Sequence, residues 1–417
     1  MRRPSNTNLH MRNSSALLFG IAACLSGHGA HAATGPDAAD PFKIFVADQY
    51  TYEDNLFRVP DGILAQDPSL TGVAKSWDDY VNRLSAGVQT RFDASKQVFL
   101  LDLRVDDVRY QENDYLDHRG GTGDLRWNFD IGKRWAGLLE ARYDRGQAGY
   151  SNYLLFIKDI VETQSYLGEL RFKIGSRWAL LGGGSYTETT HSAVERRTSD
   201  VESQTGRVGV EYTTPNQTLI ALEYAYTDAT FPTAEQLVGF DVGYEQTLPL
   251  VRLQYLYSEK TRITGRAGYL KRDYTNPSAG DFSGNVWSIN AYWEPRAQFY
   301  FDLDVWHELK AYADAEADYF VSTGASLTPT WSPTPLMKFS LRLLREDQSY
   351  RASATSLPIA AESGREDDLT SAGLIWDYTP RDYLNFVLAY RWIERDSNRE
   401  IRKNEAEIAS LQVKVAF

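Results

Sequence analysis

A single cysteine and three methionines in 417 residues leave almost no sulfur chemistry to consider. The cysteine, Cys24, stands in Ile21-Ala22-Ala23-Cys24 near the N-terminus, so the rest of the chain has neither a disulfide nor a thiol nucleophile. No stretch approaches the roughly 18 consecutive apolar residues that a membrane helix requires. Positive charge is also short: 44 Lys and Arg against 56 Asp and Glu give a formal net charge of −12, which argues against nucleic acid as a partner. Beyond residue 32 the only histidines are His118, His191 and His307. There is no Gly-x-Ser-x-Gly, no phosphate loop and no Cys/His metal spacing, so neither a cofactor nor a metal is implied.

A lipid-acting hydrolase would need Ser, His and an orienting group together on an outer face. His307 projects outward by parity but has no serine two residues away. His191 and Ser192 are adjacent and face apart, and His118 points inward beside Arg119. The reading is that the chain is not an enzyme.

Aromatic residues are plentiful, at 13%, although mean hydropathy is only −0.44. A β-barrel reconciles the two, because it turns only every second residue toward lipid and fills two interfacial girdles with Tyr and Trp. The C-terminus shows the pattern most clearly. In Leu411-Gln412-Val413-Lys414-Val415-Ala416-Phe417 a period of two puts Leu411, Val413, Val415 and Phe417 on one face. A soluble edge strand ending on a bare Phe would invite aggregation, whereas a barrel closes its last strand on its first.

At the other end, Arg2, Arg3 and Arg12 precede an apolar stretch over 16–25, and Ala30-His31-Ala32 predicts export-signal cleavage after Ala32. Met11 is an alternative start, and Cys24 an alternative lipoprotein processing site. The expected organisation is a signal peptide over 1–32, a short lead over 33–40 and a barrel over 41–417, with no periplasmic domain before it.

The unit that repeats through 41–417 is a strand, a tight turn, a second strand and a longer polar loop, recurring about every 40 residues. Turns are expected at Asp93-Ala94-Ser95-Lys96, Gly132-Lys133-Arg134, Gly175-Ser176-Arg177, Thr214-Pro215-Asn216, Glu259-Lys260-Thr261, Glu294-Pro295-Arg296, Ser332-Pro333-Thr334 and Thr379-Pro380-Arg381. Phe92, Phe129, Phe172, Tyr212, Tyr257, Trp293, Trp331 and Tyr378 stand just ahead of them, and Trp135, Trp178, Phe299 and Phe339 follow several, marking one rim with an aromatic belt. From each belt residue the alternation gives outward sets such as Leu84, Ala86, Val88 and Ile220, Leu222, Tyr224. Outward charges, among them Asp107, Arg109, Glu188 and Asp273, come only far from the turns. A soluble sandwich explains alternation equally well locally, but so many repeats of one hairpin without a crossover favour closure. The fold class is therefore all-β: a closed antiparallel up-and-down transmembrane barrel of about 18 strands, with short periplasmic turns, longer extracellular loops and both termini periplasmic.

The opposite strand face carries Arg83, Arg91, Arg104, Arg126, Arg142, Arg171, Arg207, Arg252, Arg266, Arg342 and Arg391, interleaved with acids such as Asp102, Asp106, Asp124, Glu140, Glu169, Glu223, Asp302 and Asp304. Such arginines either select anions in the lumen through planar forks or neutralise the neighbouring acids and stiffen the wall. The longest loop, 54–75, mixes Leu56, Phe57, Val59, Ile63 and Leu64 with Asp and Pro. It either folds inward as a constriction, with Asp54, Asn55, Leu56, Phe57 and Arg58 leading, or forms a lid packed on its own side chains. Asp54, Asn55 and Asp61 offer calcium-type oxygens, but without a 12-residue ligand loop turn and capping roles fit them better.

The stretch Tyr50-Thr51-Tyr52-Glu53-Asp54-Asn55-Leu56-Phe57-Arg58-Val59-Pro60-Asp61-Gly62 resembles the opening of the EpsL-like barrel porins of exosortase-linked exopolysaccharide operons, and the terminal Phe is similar too. The ending also resembles the terminal-Phe strand by which the barrel-assembly machinery recognises outer-membrane proteins. The resemblance implies an outer-membrane channel for export of, or transport linked to, an exopolysaccharide. Its partners would be lipid and lipopolysaccharide, the polysaccharide, and separate periplasmic or inner-membrane export proteins. A non-conducting surface barrel that anchors polysaccharide, and a general nutrient porin, are the alternatives.

Overall fold

The computed structural model describes residues 41–152, 155–275, 281–314, 317–351 and 364–417. The segment 1–32 expected to be a signal peptide, Cys24 within it, and the expected lead over 33–40 lie outside them. Among the described residues one antiparallel sheet of 18 strands closes on itself. In chain order the strands are β1 (Phe42–Glu53), β2 (Asp79–Ala94), β3 (Gln97–Tyr110), β4 (His118–Ile131), β5 (Trp135–Gln147), β6 (Ile160–Ile174), β7 (Trp178–His191), β8 (Val201–Thr213) and β9 (Leu219–Thr230), followed by β10 (Tyr244–Ser258), β11 (Thr261–Tyr274), β12 (Phe282–Arg296), β13 (Phe299–Asp314), β14 (Ala317–Thr334), β15 (Met337–Arg351), β16 (Glu366–Arg381), β17 (Leu384–Ser397) and β18 (Asn404–Ala416). Each strand pairs with its sequence neighbours, and β1 closes on β18 with Phe45 opposite Ala416 and Glu53 opposite Ile408. The helices α1 (Asp61–Leu64) and α2 (Pro232–Val238) both lie in loops at the end away from the tight turns.

Alternation sets the two faces. Leu84, Leu103, Val105, Leu125, Leu139, Val208, Leu222, Leu253 and Leu388 are exposed on the outside, with Val105 at 67% and Leu222 at 62%. A continuous outward apolar band is stable only against lipid. At its lower edge aromatic rings touch from strand to strand: Phe92 to Phe99 at 6.1 Å, Phe99 to Trp127 at 5.4 Å, Trp135 to Phe172 at 4.7 Å, Trp178 to Tyr212 at 4.8 Å and Trp331 to Phe339 at 5.6 Å between centroids. The band's height can be read from the sequence. Ten residues separate Phe129 from Arg119, Phe172 from Glu162, Trp178 from Glu188 and Tyr378 from Asp368, the first outward charges on their strands. Ten residues at about 3.3 Å each, tilted by about 40°, climb roughly 25 Å, the depth of the hydrocarbon layer. Asp48 is an exception, outward only six residues above Phe42; its carboxylate accepts from Asn82 Nδ2 at 2.7 Å on the adjacent strand.

Three turns fall later than the sequence suggests. Those expected at Glu294-Pro295-Arg296, Ser332-Pro333-Thr334 and Thr379-Pro380-Arg381 have their tips at 297–298, 335–336 and 382–383, and the strand pairing slips between Trp293 and Arg296, Trp331 and Thr334, and Tyr378 and Arg381. Proline has no N–H to give a ladder, so it sits in the bulge and the strand resumes beyond it. Elsewhere Gly132 and Gly175 take positive φ of 63° and 68° in turns located as expected.

The closing seam includes the chain end. Phe417 N–H donates to the Ile44 carbonyl at 2.8 Å and Ile44 N–H to the Phe417 carbonyl at 3.0 Å, while the Phe417 ring points outward. On the outer belt Gly137 lies under the Phe129 ring of the paired strand. A Cβ there would fall 2.3 Å from that ring and 2.6 Å from the Glu169 carbonyl oxygen.

Two substitutions test this layout. Gly137→Ala overpacks the Phe129 contact and should cost about 1–3 kcal/mol of stability in urea unfolding from lipid vesicles. Val208→Arg, four residues above the belt residue Tyr212, should cost about 2–4 kcal/mol in the same assay. A loss below about 0.5 kcal/mol, the range of a neutral surface change, would remove Val208 from the lipid face.

Candidate functional site

The lumen wall is built from the inward half of the alternation, and the register decides which charges meet. Arg126 bonds Glu140 at 2.7 Å, and Arg142 bridges Asp124 at 2.8 Å and Glu140 at 2.7 Å. Arg171 holds Glu211; Arg207 holds Glu169; Arg252 holds Glu223 at 2.7 Å. Arg91 pairs with Asp93 at 3.0 Å, Arg104 with Asp106 at 3.1 Å and Arg266 with Glu308 at 2.5 Å. The Glu211 and Glu223 carboxylates are nearly sealed from solvent, with side chains 4% and 1% exposed. Removing the arginine from such a pair strands a buried charge, typically at about 3–5 kcal/mol. For eight of the eleven lumen arginines, then, pairing with wall carboxylates supplies a sufficient structural role.

Arg83, Arg342 and Arg391 differ. Arg83 makes no ion pair among the described residues but lies within electrostatic reach of Asp144. Arg342 and Arg391 occupy one row of the sheet on either side of Gly373, Arg342 opposite Gly373 on β16 and Gly373 opposite Arg391 on β17. Neither makes a hydrogen bond or ion pair among the described residues. Arg342 is exposed and Arg391 partly exposed, and the stem of Arg391 lies beside Gly373, where an added Cβ would meet its Cγ at 3.6 Å. Arg58, from the loop above, is within electrostatic reach of Arg391.

That loop, 54–78, is not a bare constriction. Leu56, Phe57, Val59, Ala74 and Trp77 form a core with Leu116 and Tyr150 of the next two loops, and Ile63, Leu64, Tyr110, Tyr115 and Phe156 pack around it. Phe57, fully buried, lies 4.8 Å from Tyr150 and 5.2 Å from Phe156 between ring centroids. Asn55 takes a turn role: its Nδ2 donates to the Val59 and Glu405 carbonyls at 2.8 and 2.9 Å, and its Oδ1 accepts from Val59 N–H at 2.9 Å. Asp54 accepts from Glu407 N–H at 2.7 Å, and Arg58 pairs with Glu53 at 2.5 Å. The buried Asp79 carboxylate accepts the backbone N–H groups of Gln111, Glu112 and Asn113 at 2.9–3.1 Å, which ties the second loop to the first. Lys75 beside Asp114 holds that carboxyl below the usual range, and burial pushes the Tyr115 phenol up.

Two contacts carry the loops across the mouth. Arg395, inward on β17, donates to the Ser151 carbonyl of the loop after β5 at 2.7 Å and also faces Asp367 at 3.4 Å. Arg365 grips Asp367 and lies 4.2 Å above the Tyr350 ring. On the other side, the 3-10 turn Val194–Ser199 packs on α2 and reaches β13, while the Asp159 carboxylate accepts from Ala193 N–H at 3.1 Å and faces Arg196 at 3.8 Å. The loop-side mouth is therefore strapped from two directions.

Asp79, Ser151, Asp367 and Arg395 were not singled out by the sequence. Asp367 and Arg395 share the inward parity of Arg391 and follow from the alternation, whereas the bond from Arg395 to Ser151 joins residues 244 positions apart and has no local signature. The histidines assemble no hydrolytic triad. His307 Nδ1 meets Thr323 Oγ1 at 2.7 Å on the outer face, His191 bonds Asp200 at 3.0 Å, and the Ser192 hydroxyl is taken by Ile160 N–H at 2.7 Å. His118 Nδ1 bonds the Leu116 carbonyl at 2.9 Å.

No family model and no curated protein matches the chain. Solved structures similar to it include the ferric enterobactin receptor PfeA of Pseudomonas aeruginosa, 9% identical over 90% of this chain and 81% of that one with a TM-score of 0.46. OccK5 (OpdH) of Pseudomonas aeruginosa is 12% identical over 90% and 98% with a TM-score of 0.45, and OccAB3 of Acinetobacter baumannii 9% identical over 90% and 98% with a TM-score of 0.46.

Proposed function

We propose that the barrel is an outer-membrane channel for a hydrophilic, negatively charged chain, an acidic exopolysaccharide being the cargo that the opening-strand resemblance implies. The observation that supports this most is the pair Arg342 and Arg391, open toward the lumen across Gly373 while the surrounding arginines are tied to carboxylates. A guanidinium left unpaired in a water-filled lumen exchanges water for a passing carboxylate at small cost, and two side by side offer successive weak sites. Binding that is favourable yet shallow allows passage rather than capture. The loop straps would hold the path closed at one end until they are displaced.

A specific observation favours a second reading. Three loops share one hydrophobic core and reach the far wall through Ser151 and Arg395, which suits a plugged barrel that anchors polysaccharide at the surface.

Planar-bilayer recording of the refolded protein separates these readings. Deleting residues 55–74 should raise single-channel conductance severalfold, and added acidic polysaccharide should then block the current. Silence in both forms would support the anchoring barrel; steady current indifferent to polymer would leave a general nutrient porin. Arg342→Gln with Arg391→Gln should shift the reversal potential in a salt gradient toward cation preference by at least 10 mV, about 10 mV corresponding to less than half of RT per unit charge. An unchanged potential would remove the pair from anion selection.

A further inference from the structure

The inward face is chemically divided. On β4 to β9 no inward position holds Phe, Tyr or Trp, and the wall there is the Arg/Glu lattice. Inward aromatic rings gather on β10 to β15, and two of them, Tyr292 on β12 and Tyr300 on β13, lie close to the tight turns, at the end opposite the strapped mouth. Their ring centroids are 5.8 Å apart at 32°, and both rings are only partly buried. Planar polar groups surround them. Arg262 lies 5.6 Å from the Tyr292 centroid, and Tyr292 OH donates to Glu294 at 3.3 Å. Asp302, opposite Tyr292 in the sheet, has no cationic partner among the described residues; it accepts from Asn290 Nδ2 at 2.6 Å.

From this arrangement we infer that the turn-side mouth carries a carbohydrate subsite in which Tyr292 and Tyr300 stack on pyranose rings while Arg262, Glu294 and Asp302 hydrogen-bond their hydroxyls. A pyranose has an apolar face of C–H groups and an equatorial rim of hydroxyls, so it needs a flat ring beneath and planar donors and acceptors beside it. Both are present here, on side chains that are only partly buried. A lipid chain would not use the ring of charged groups. A peptide would need backbone partners, whereas the wall's own backbone is committed to the β11–β12–β13 ladder. The subsite rests on the channel reading and adds to it the end at which a sugar chain first engages.

Isothermal titration of the full detergent-folded protein with hexagalacturonate and with maltohexaose tests the subsite without requiring current. Tyr292→Ala with Tyr300→Ala should weaken binding of both oligosaccharides at least tenfold, because stacking ignores charge. Tyr292→Phe with Tyr300→Phe should stay within threefold of wild type, the rings being retained. Arg342→Gln should weaken hexagalacturonate alone. Unaltered binding in the double alanine variant, with its heat-modifiable gel mobility intact, would overturn the inference, as would a phenylalanine variant as weak as alanine or a wild-type protein that binds neither sugar. If both sugars bind and Arg342→Gln changes neither, the anion reading fails while the stacking subsite stands.

Discussion

Every backbone N–H and C=O in a hydrocarbon layer must find a protein partner, since an unmade bond there costs several kcal/mol and no water is available to replace it. The pairing of β1 with β18 meets that demand for the two strands that would otherwise be edges, carried down to the last residue by the reciprocal Phe417 and Ile44 bonds. Once the sheet is closed, each strand has one face toward lipid and one toward the lumen. The apolar band, the aromatic rim and the charged interior are then consequences of a period of two.

The interior has a division of labour. On β4 to β10 the arginines and carboxylates neutralise one another, and the nearly sealed Glu211 and Glu223 make those pairs structural. On β15 and β17 two arginines stand outside that compensation, Arg342 and Arg391, on either side of Gly373. Above them the loops spend their apolar residues on a shared core, which explains how Leu56, Phe57 and Val59 escape water at a surface otherwise rich in charge. Arg395 and Asp367, inward on the same wall, fasten that core across the mouth. A path that selects by charge and a mouth held by a few polar contacts are thus parts of one wall.

The strand order, the belt and the inward parity of all eleven lumen arginines were legible in the sequence, because each depends only on alternation and turn chemistry. Register was not legible there, because it depends on how the strands meet in the closed sheet. Parity places Arg171 inward but not opposite Glu211, and it cannot distinguish Arg342 from Arg207, which differ only in what the neighbouring strands present. The prolines at 295, 333 and 380 were read as turn tips when they are bulges, since a missing N–H serves either purpose. The straps escaped because Ser151 and Arg395 are joined only by the curvature of the closed sheet.

The central claim is that adjacent residues on these strands face opposite media, and thiol labelling tests it most directly. Residues 33–417 contain no cysteine, so single substitutions in protein refolded from that segment report cleanly. Protein with Arg342→Cys, reconstituted in vesicles and treated with a membrane-impermeant methanethiosulfonate, should be modified, whereas protein with the adjacent Leu343→Cys should resist. Equal modification at both positions, or the reverse order, would contradict the assignment of lumen and lipid faces on which the rest stands.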